Sequence, residues 1–387
     1  MSEPSRASKD SDFTVPPHAT ADIGRRPEAS EDASGVSGHD GGSVYLAPPR
    51  QYLRADFIDC DLKDGKTYRA PVAVKGTDLW ELVRLFVLQG AVAWLLPPKI
   101  WPQVAGLFGK LDLALHPDRT KRNVTIIRDV LGEAAEGLNI IDLERGFFAG
   151  RYEERFEYLR SHRPGGWDPV IRIRGKEHVE AAKAAGHGII FWGGSFAFND
   201  LISKIAFHRL GLEVSHYTRP VHGLSNSRFG IRYLNSVRTS IESRYLGARV
   251  CAEDNVKEAM EVVRGHAEAG GGVSIKVGNR GRRRVSVPFL GGELELATGP
   301  VALARRWGVV LLPTFTLRAS DGSFDVTIGK ALHSNQGDPE AYAEDVVRQY
   351  AEQLAPVLLQ DPSQWRGWRL MKHSDADGRD IRHSAKV

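Results

Sequence analysis

The sequence predicts an α/β domain with a mixed, largely parallel sheet flanked by helices and preceded by an amphipathic helical region. After residue 167, short β-rich runs such as GIIFW (188–192) and VVLLPTFT (309–316) alternate with segments of helical periodicity. This alternation is typical of strands joined by crossover helices, whose functional loops lie at strand ends. The other predicted elements are strands at 214–217, 273–277, 285–289 and 324–328, and helices near 177–185, 197–210, 255–268, 298–307 and 339–359.

Composition bounds the class of protein. The chain has 387 residues, is 42% hydrophobic and 26% charged, and carries a formal net charge of +4. These values exclude collagen, coiled coil and wholesale disorder, and the charge is too mild to indicate a nucleic-acid partner. The two cysteines, Cys60 and Cys251, lie too far apart in sequence to form a disulfide framework, so we expect a reducing compartment and no metal site.

Domain organisation follows from changes in composition and hydrophobic pattern along the chain. Residues 1–44 hold almost no large apolar side chains and are predicted to be a disordered tail without a secretory signal. Residues 45–165 are predicted to be a helical, membrane-interfacial region, with periodic apolar positions between 121 and 160. Residues 166–370 form the predicted α/β domain, and 371–387 a polar basic tail.

The strongest apolar stretch is LWELVRLFVLQGAVAWLL (79–96), which Glu81, Arg84 and Gln89 interrupt. Its nearly unbroken part is shorter than the roughly 20 residues that span a bilayer. The stretch therefore predicts either a helical hairpin lying in the membrane interface or a helix packed on the main domain. In the first case three aromatic side chains would lie at headgroup depth: Trp80, Trp94 and Trp101.

The segment GIIFWGGSFAFND (188–200) predicts a buried strand, a glycine turn and a helix start. Backbone N–H groups at such a helix start favour developing negative charge, but Ser195 could equally be an N-cap residue. The local sequence GGSFA also approximates a nucleophile elbow, which would require an acid and then a histidine downstream. Asp325 and His333 have that order.

Two further segments carry basic residues at strand ends. HYTRP (216–220) places Arg219 where it could clamp a phosphate or carboxylate, or lie on the surface. The loop after the strand at 273–277 carries a patch that suits an acidic carrier protein, an anionic donor or lipid headgroups, or is a solvated hairpin tip. The patch consists of Arg280, Arg282, Arg283 and Arg284. The turn at Thr298 and Gly299 is either ordinary capping or part of an anion cradle.

Taken in order, these segments resemble the lipid A biosynthesis acyltransferase family, the lauroyl/myristoyl transferases of the lysophospholipid acyltransferase superfamily. The resemblance covers about 79–370. It rests on the apolar N-terminal helix, the turn ending FNDL, the strand ending YTRP, VPFLG followed by ATGP, and the C-terminal DPSQWRGW. It implies a fold similar to glycerol-3-phosphate acyltransferase.

The family motif is a histidine, four intervening residues and an acid. The resemblance implies that Asp200 is the acid, that Ser195 occupies the histidine position, and that Asn199 lies in the usual neighbourhood. Arg219 matches the family's arginine, and with Thr298 and Gly299 it is expected to position a substrate. Where the family usually carries an aspartate, near 276–278, this chain has no acid.

The resemblance implies acyl transfer from an acyl carrier protein or coenzyme A thioester to a hydroxyl or amine acceptor, without a bound cofactor. Because a serine hydroxyl is not a general base near neutral pH, His216 or His222 would act instead, or an amine acceptor would lose its own proton. The alternatives are a catalytically inactive member that binds lipid or carrier protein, and a serine hydrolase using Ser195. We expect a cytoplasmic protein, peripheral on an anionic membrane surface.

Overall fold

The computed structural model describes residues 45–46, 56–60, 72–218, 223–252, 255–374, 380–381 and 383. The predicted tail at 1–44 lies outside these residues, as do Arg219 and His222.

Eleven α-helices and thirteen strands are formed by the described residues. The helices are α1 Gly76–Leu82, α2 Gly90–Leu95, α3 Trp101–Leu115, α4 Pro117–Leu131, α5 Ile140–Ser161, α6 Lys176–Ala184, α7 Asn199–Arg209, α8 Ser236–Glu242, α9 Val256–Glu268, α10 Gly299–Trp307 and α11 Pro339–Gln360. The strands are β1 Tyr45–Leu46, β2 Asp56–Asp59, β3 Ile171–Arg174, β4 Ile189–Gly193, β5 Val214–Thr218, β6 Ala248–Cys251, β7 Gly272–Lys276, β8 Arg284–Phe289, β9 Gly292–Ala297, β10 Val310–Arg318, β11 Phe324–Ile328, β12 Met371–Ser374 and β13 Asp380–Ile381.

The main sheet has nine strands in the order β1-β3-β11-β10-β4-β7-β5-β6-β2. Its centre is parallel, since β10, β4, β7, β5 and β6 pair in parallel with their neighbours along this row. Antiparallel pairing occurs at β10 with β11 and at β1 with β3. The predicted mixed, largely parallel α/β sheet is therefore confirmed.

A second sheet has the order β13-β12-β9-β8. Its strand β12 begins at Met371, in the segment predicted to be a polar tail, and pairs antiparallel with β9. His383, further along that segment, is 4% exposed, and its Nε2 lies 3.0 Å from Oε2 of Glu144 on α5. The segment after residue 370 thus contributes to the folded core.

Helices cover both faces of the main sheet. On one face, α6, α7 and α8 bury the side chains of Phe191 and Val214. On the other face, α9, α10, α11, α4 and the first half of α5 bury those of Ile190 and Trp192. Because α4 and α5 share a core with the sheet, the predicted boundary near residue 165 does not separate two cores.

The N-terminal apolar stretch forms α1, a π-helical segment Val83–Gln89 and α2, followed by α3. In the part of the chain that the structure describes, each helix taken alone is too short or too polar for a membrane span. The segments Gly76–Leu95 and Pro98–Leu115, bent by 116° relative to each other, together have the length and composition of one. Trp80 and Trp94 are 61% and 43% exposed. Trp101 is only 1% exposed and its ring packs on that of Phe156. Its predicted place at headgroup depth is therefore wrong.

Helix α11 offers a direct test of the core. Leu354 is 2% exposed, whereas Leu359 on the same helix is 43% exposed. We expect Leu354→Ala to lower the free energy of unfolding by about 2–5 kcal/mol, because it leaves a cavity. The matched Leu359→Ala should change it by less than about 0.5 kcal/mol. Urea denaturation of both variants measures the difference, and equal losses would contradict the assigned packing of α11.

Candidate functional site

The turn after β4 brings the predicted site residues to the carboxyl edge of the parallel strands. Glycine is required at 194, because a Cβ there would lie 2.7 Å from Cδ1 of Phe315. The next helix, α7, begins only at Asn199, with Phe198 at its N-cap position. Ser195 is therefore not the N-cap residue of this helix.

The C-terminal segment 361–366 holds this turn in place. The backbone N–H of Ala197 donates to the carbonyl oxygen of Gln364 at 2.8 Å, and that of Arg366 donates to the carbonyl oxygen of Ser195 at 2.5 Å. The Gln364 side chain is itself fixed, since its Nε2 donates to Arg318 O and to Asp361 Oδ2 at 2.8 Å each. The DPSQWRGW motif thus acts as a clamp on the turn.

Ser195 and Asn199 are enclosed by this arrangement. They are 1% and 3% exposed. Neither Oγ of Ser195 nor Oδ1 of Asn199 has a hydrogen-bond partner among the described residues. A Cβ at Gly193 would lie 3.0 Å from Nδ2 of Asn199, so the amide covers the end of β4. Both side chains face the protein interior.

Asp200 is bound by two cations. Its Oδ2 accepts hydrogen bonds from the Arg238 guanidinium of α8 and, at 2.8 Å, from Nζ of Lys276 at the end of β7. The Asp200 side chain is 11% exposed and that of Lys276 36%. Within the described residues these are the side chains that hydrogen-bond the Asp200 carboxylate.

Arg238 connects Asp200 to a buried ionic cluster. Its Nε donates to Oε1 of Glu242 at 2.8 Å, and the same oxygen accepts from the Tyr158 hydroxyl at 2.8 Å. The other oxygen of Glu242 accepts from Lys204 at 2.7 Å and from Arg249 at 3.0 Å. Glu242 is 0% exposed, so these partners replace all of its hydration.

Burial and charge have opposite effects on the acidity of this cluster. Burial alone would raise the pKa of Asp200, but Lys276 and Arg238 outweigh it and hold that pKa well below its usual range. Burial raises the pKa of Glu154, whose Oε1 lies 3.6 Å from the same Arg238 guanidinium. Asp200 therefore stays ionised and is a poor proton acceptor.

The predicted surrogate base His216 lies on the neighbouring strand β5 and is 6% exposed. Its register partner on β7 is Ser274, two residues before Lys276. Because alternate residues share one face of a strand, His216 is on the same face of the sheet as Lys276. It lies two residues further from the carboxyl edge of the sheet than Lys276 does.

The predicted arginine patch is exposed: Arg280, Arg282 and Arg283 lie on the loop that follows β7, and Arg284 begins β8. Arg284 pairs with Glu295 at 3.5 Å. Thr298 is 5% exposed, and its backbone N–H donates to the Arg283 carbonyl at 3.2 Å. Gly299, the first residue of α10, is exposed. The turn at 298–299 thus contacts the base of the arginine loop.

A family model for bacterial lipid A biosynthesis acyltransferases matches residues 148–369. The chain belongs to this family. The match includes the turn, Asp200, the arginine loop and the C-terminal clamp, and it indicates an acyltransferase of lipid biosynthesis that transfers acyl groups to a lipid. Comparison with curated proteins finds no match.

The residues of the alternative serine hydrolase site do not lie together. His333 lines a cavity with residues at the amino ends of β4 and β10, whereas Ser195 follows the carboxyl end of β4. Asp325 is bound by Arg172 at 2.7 Å. Among the described residues, Leu290 is the non-glycine with positive φ, so Ser195 lacks the strained backbone of a nucleophile elbow. The serine hydrolase interpretation therefore lacks the acid and the histidine that the sequence offered for it.

Sequence reasoning missed the partners of Asp200. Lys276 lies within the strand predicted at 273–277, but no spacing rule links it to residue 200. Arg238, Glu154 and Glu242 lie on α8 and α5, in segments that carried no recognisable motif. A buried carboxylate needs a cation nearby, and this requirement alone indicated that Asp200 would have a Lys or Arg partner.

The ionic contacts of Asp200 predict a graded loss of stability. Asp200→Asn removes one of the counter-charges of Arg238, which keeps Glu242, and should cost about 1.5–3 kcal/mol near pH 7, the value of a hydrogen bond to a charged group. Lys276→Met removes a partly exposed partner and should cost about 0–1 kcal/mol. Urea denaturation of the purified variants provides the comparison.

The stability difference between wild type and Asp200→Asn should depend on pH. The depressed pKa of Asp200 means that its stabilisation is complete above its unfolded-state value of about 3.9 and declines as the pH falls below that value. The gap between wild type and Asp200→Asn should therefore be constant from pH 7 to 5 and shrink below about pH 4. A gap that widens on acidification would contradict the assigned charge state.

Proposed function

We propose that the protein transfers an acyl chain from an acyl carrier protein or coenzyme A thioester to a hydroxyl or amine group of a lipid or small-molecule acceptor. The observation that carries this proposal is the ionised Asp200 carboxylate at the carboxyl edge of the sheet, beside the partly exposed Lys276 ammonium. When a nucleophile attacks a thioester carbonyl, negative charge develops on the carbonyl oxygen. A fixed ammonium next to the reacting carbon stabilises that charge.

The acceptor's proton must leave by a route other than the family histidine. Asp200 is too weak a base for that role, since Lys276 and Arg238 depress its pKa. An acceptor amine needs less assistance than a hydroxyl, because it attacks in its neutral form and loses the proton afterwards. We assign this role to His216, which lies on the same sheet face as Lys276.

An apolar cavity suits the acyl chain. It measures about 540 Å³ and lies between the π-helical segment with α2, the end of α5 and the start of α8. Its lining residues are Phe86, Val87, Gly90, Ala91, Trp94, Leu95, Leu159, His162 and Val237. Val237 immediately precedes Arg238, the residue that binds Asp200, so a chain held there would end near the ionic cluster.

The exposed arginine loop suits the donor. Arg280, Arg282 and Arg283 follow β7, whose last residue is Lys276, so a phosphate of coenzyme A or an acidic carrier protein would be attracted toward the proposed reacting position. Arg219, Thr298 and Gly299 remain our candidates for positioning the acceptor or donor.

Turnover with long-chain acyl-coenzyme A and acyl carrier protein donors tests the proposed chemistry. With extracted lipids and amines as acceptors, Lys276→Met should lower kcat/KM by about 10²–10³, the loss expected for one donor to an oxyanion. The control is Lys330→Met, the same substitution at an exposed lysine 54 residues after Lys276, and it should leave the rate unchanged. A Lys276→Met rate equal to that of wild type would contradict the assigned role.

A second candidate is a catalytically inactive member that binds lipid or acyl carrier protein. It is favoured by the same contacts, because Lys276 and Arg238 bind the carboxylate that would orient a histidine. The variant Ser195→His separates the candidates, with melting temperature confirming that the buried site accepts the larger side chain. A rate increase of about 10² or more indicates a degenerate catalytic site. No turnover with any donor, together with retained acyl-chain binding, indicates the binding protein.

We also propose that the helical pair α1–α2 and α3 holds the protein peripherally on the cytoplasmic face of an anionic membrane. Its large exposed apolar side chains support this: Leu79, Trp80, Val83, Phe86, Val87, Leu88, Trp94, Leu95, Ile100, Leu107, Leu111 and Leu115. This concentration of exposed apolar side chains on one helical pair is typical of an interaction site.

Vesicle co-sedimentation tests the membrane proposal. The double variant Leu95→Glu/Leu107→Glu places charge on side chains that are 80% and 64% exposed, so the fold should persist. We expect its binding to phosphatidylglycerol vesicles to fall at least tenfold. Val170→Glu, at a position that is 60% exposed outside this surface, is the control. Equal loss in the control would show that general charge, not the helical pair, determines binding.

A further inference from the structure

A cavity of about 850 Å³, separate from the Asp200 cluster, lies between the bend that joins α2 to α3, one face of α5, and the turn between β10 and β11. This volume is in the range of sites for small organic ligands. Its lining includes Phe198 of the β4–α7 turn but neither Ser195 nor Asp200. The cavity is partly open to solvent.

Helix α5 presents a regular stripe to this cavity. Gly146, Gly150, Glu153 and Glu157 all line it, at the spacing of residues on one helix face. The glycines allow close approach of the C-terminal segment, since a Cβ at 146 would lie 2.8 Å from Cβ of Ser363. The two glutamates are left as the charged groups of the stripe.

Most carboxylates around the cavity have partners. Glu153 pairs with the Arg318 guanidinium. Asp325 accepts from Arg172 at 2.7 Å, and Asp361 accepts from the Ser363 hydroxyl at 2.6 Å. These groups are satisfied within the protein.

Glu157 is the exception. It is 2% exposed, and its Oε1 has no hydrogen-bond partner among the described residues. Burial raises the pKa of this carboxyl, and the negative charge of Glu154 adds to the effect. An unsatisfied buried carboxyl oxygen costs about 1–3 kcal/mol or more, so a ligand group that donates to it would recover that free energy.

The walls of the cavity define the rest of the ligand. Trp167, Phe198, Pro98 and Pro102 supply apolar and aromatic surface beside the carboxyl group. A ring or short hydrocarbon body would bury this surface while its polar end reaches Glu157.

We propose that this cavity binds a small molecule with an apolar body and a primary ammonium group, and that Glu157 accepts a hydrogen bond from the ammonium. The site does not depend on acyl transfer, because binding requires neither a donor nor the Asp200 cluster. Its test is therefore separate from the test of the proposed function.

Tryptamine and tryptophol serve as a matched pair of probes, since they share the indole body and differ in ammonium against hydroxyl. Ligand-observed NMR titration of the full chain should show tryptamine binding at least tenfold more tightly than tryptophol. Glu157→Gln, nearly identical in shape, should reduce that preference below threefold. Glu352→Gln, at an exposed position of α11, should preserve it.

A second variant keeps the test decisive if Glu157→Gln does not fold. Ser320→Trp places a large side chain at an exposed position of the cavity lining and should weaken both probes at least fivefold. Absence of tryptamine binding, equal affinity for the two probes in wild type, or a preference that persists in Glu157→Gln would each overturn the proposal. So would unchanged binding in Ser320→Trp.

Discussion

The contact between Asp200 and its two cations determines the arrangement of the site. Arg238 joins Asp200 to Glu242, so α7 and α8 are held together by buried charges. Lys276 joins the same carboxylate to the end of β7. Each ion has lost hydration, and the mutual geometry compensates for that loss only while all members are present. The whole cluster lies within the residues that match the acyltransferase family model.

Much of the fold could be predicted because buried strands have a strong local signal. The run GIIFW became β4, and the helices predicted near 255–268 and 339–359 are α9 and α11. The strands β3, β6 and β9 were missed, since each contains charged residues that local patterns assign to the surface. Arg249 of β6 is nevertheless buried, because Glu242 lies within 3.0 Å.

The site could be predicted only in part. The family motif located Asp200, but its partners come from α8 and β7, far away in sequence. The environment of Trp101 was also ambiguous in the sequence, since an indole suits a membrane interface and a protein core equally well. Contact with Phe156 decided the matter, and no local pattern encodes that contact. The cavity at Glu157 likewise depends on the meeting of α5 with the β10–β11 turn.

The clamp on the β4–α7 turn has a consequence for folding order. The backbone bonds that Gln364 and Arg366 make to Ala197 and Ser195 join a turn near the middle of the chain to a segment near its far end. Closing a loop of this length costs entropy before the contact forms, and it is slow relative to local helix formation. During synthesis the parallel strands can assemble first, whereas the turn that carries the family motif reaches its final shape after the ribosome has released residue 366. A nascent chain would therefore hold its central strands before the backbone around Ser195 and Ala197 is fixed.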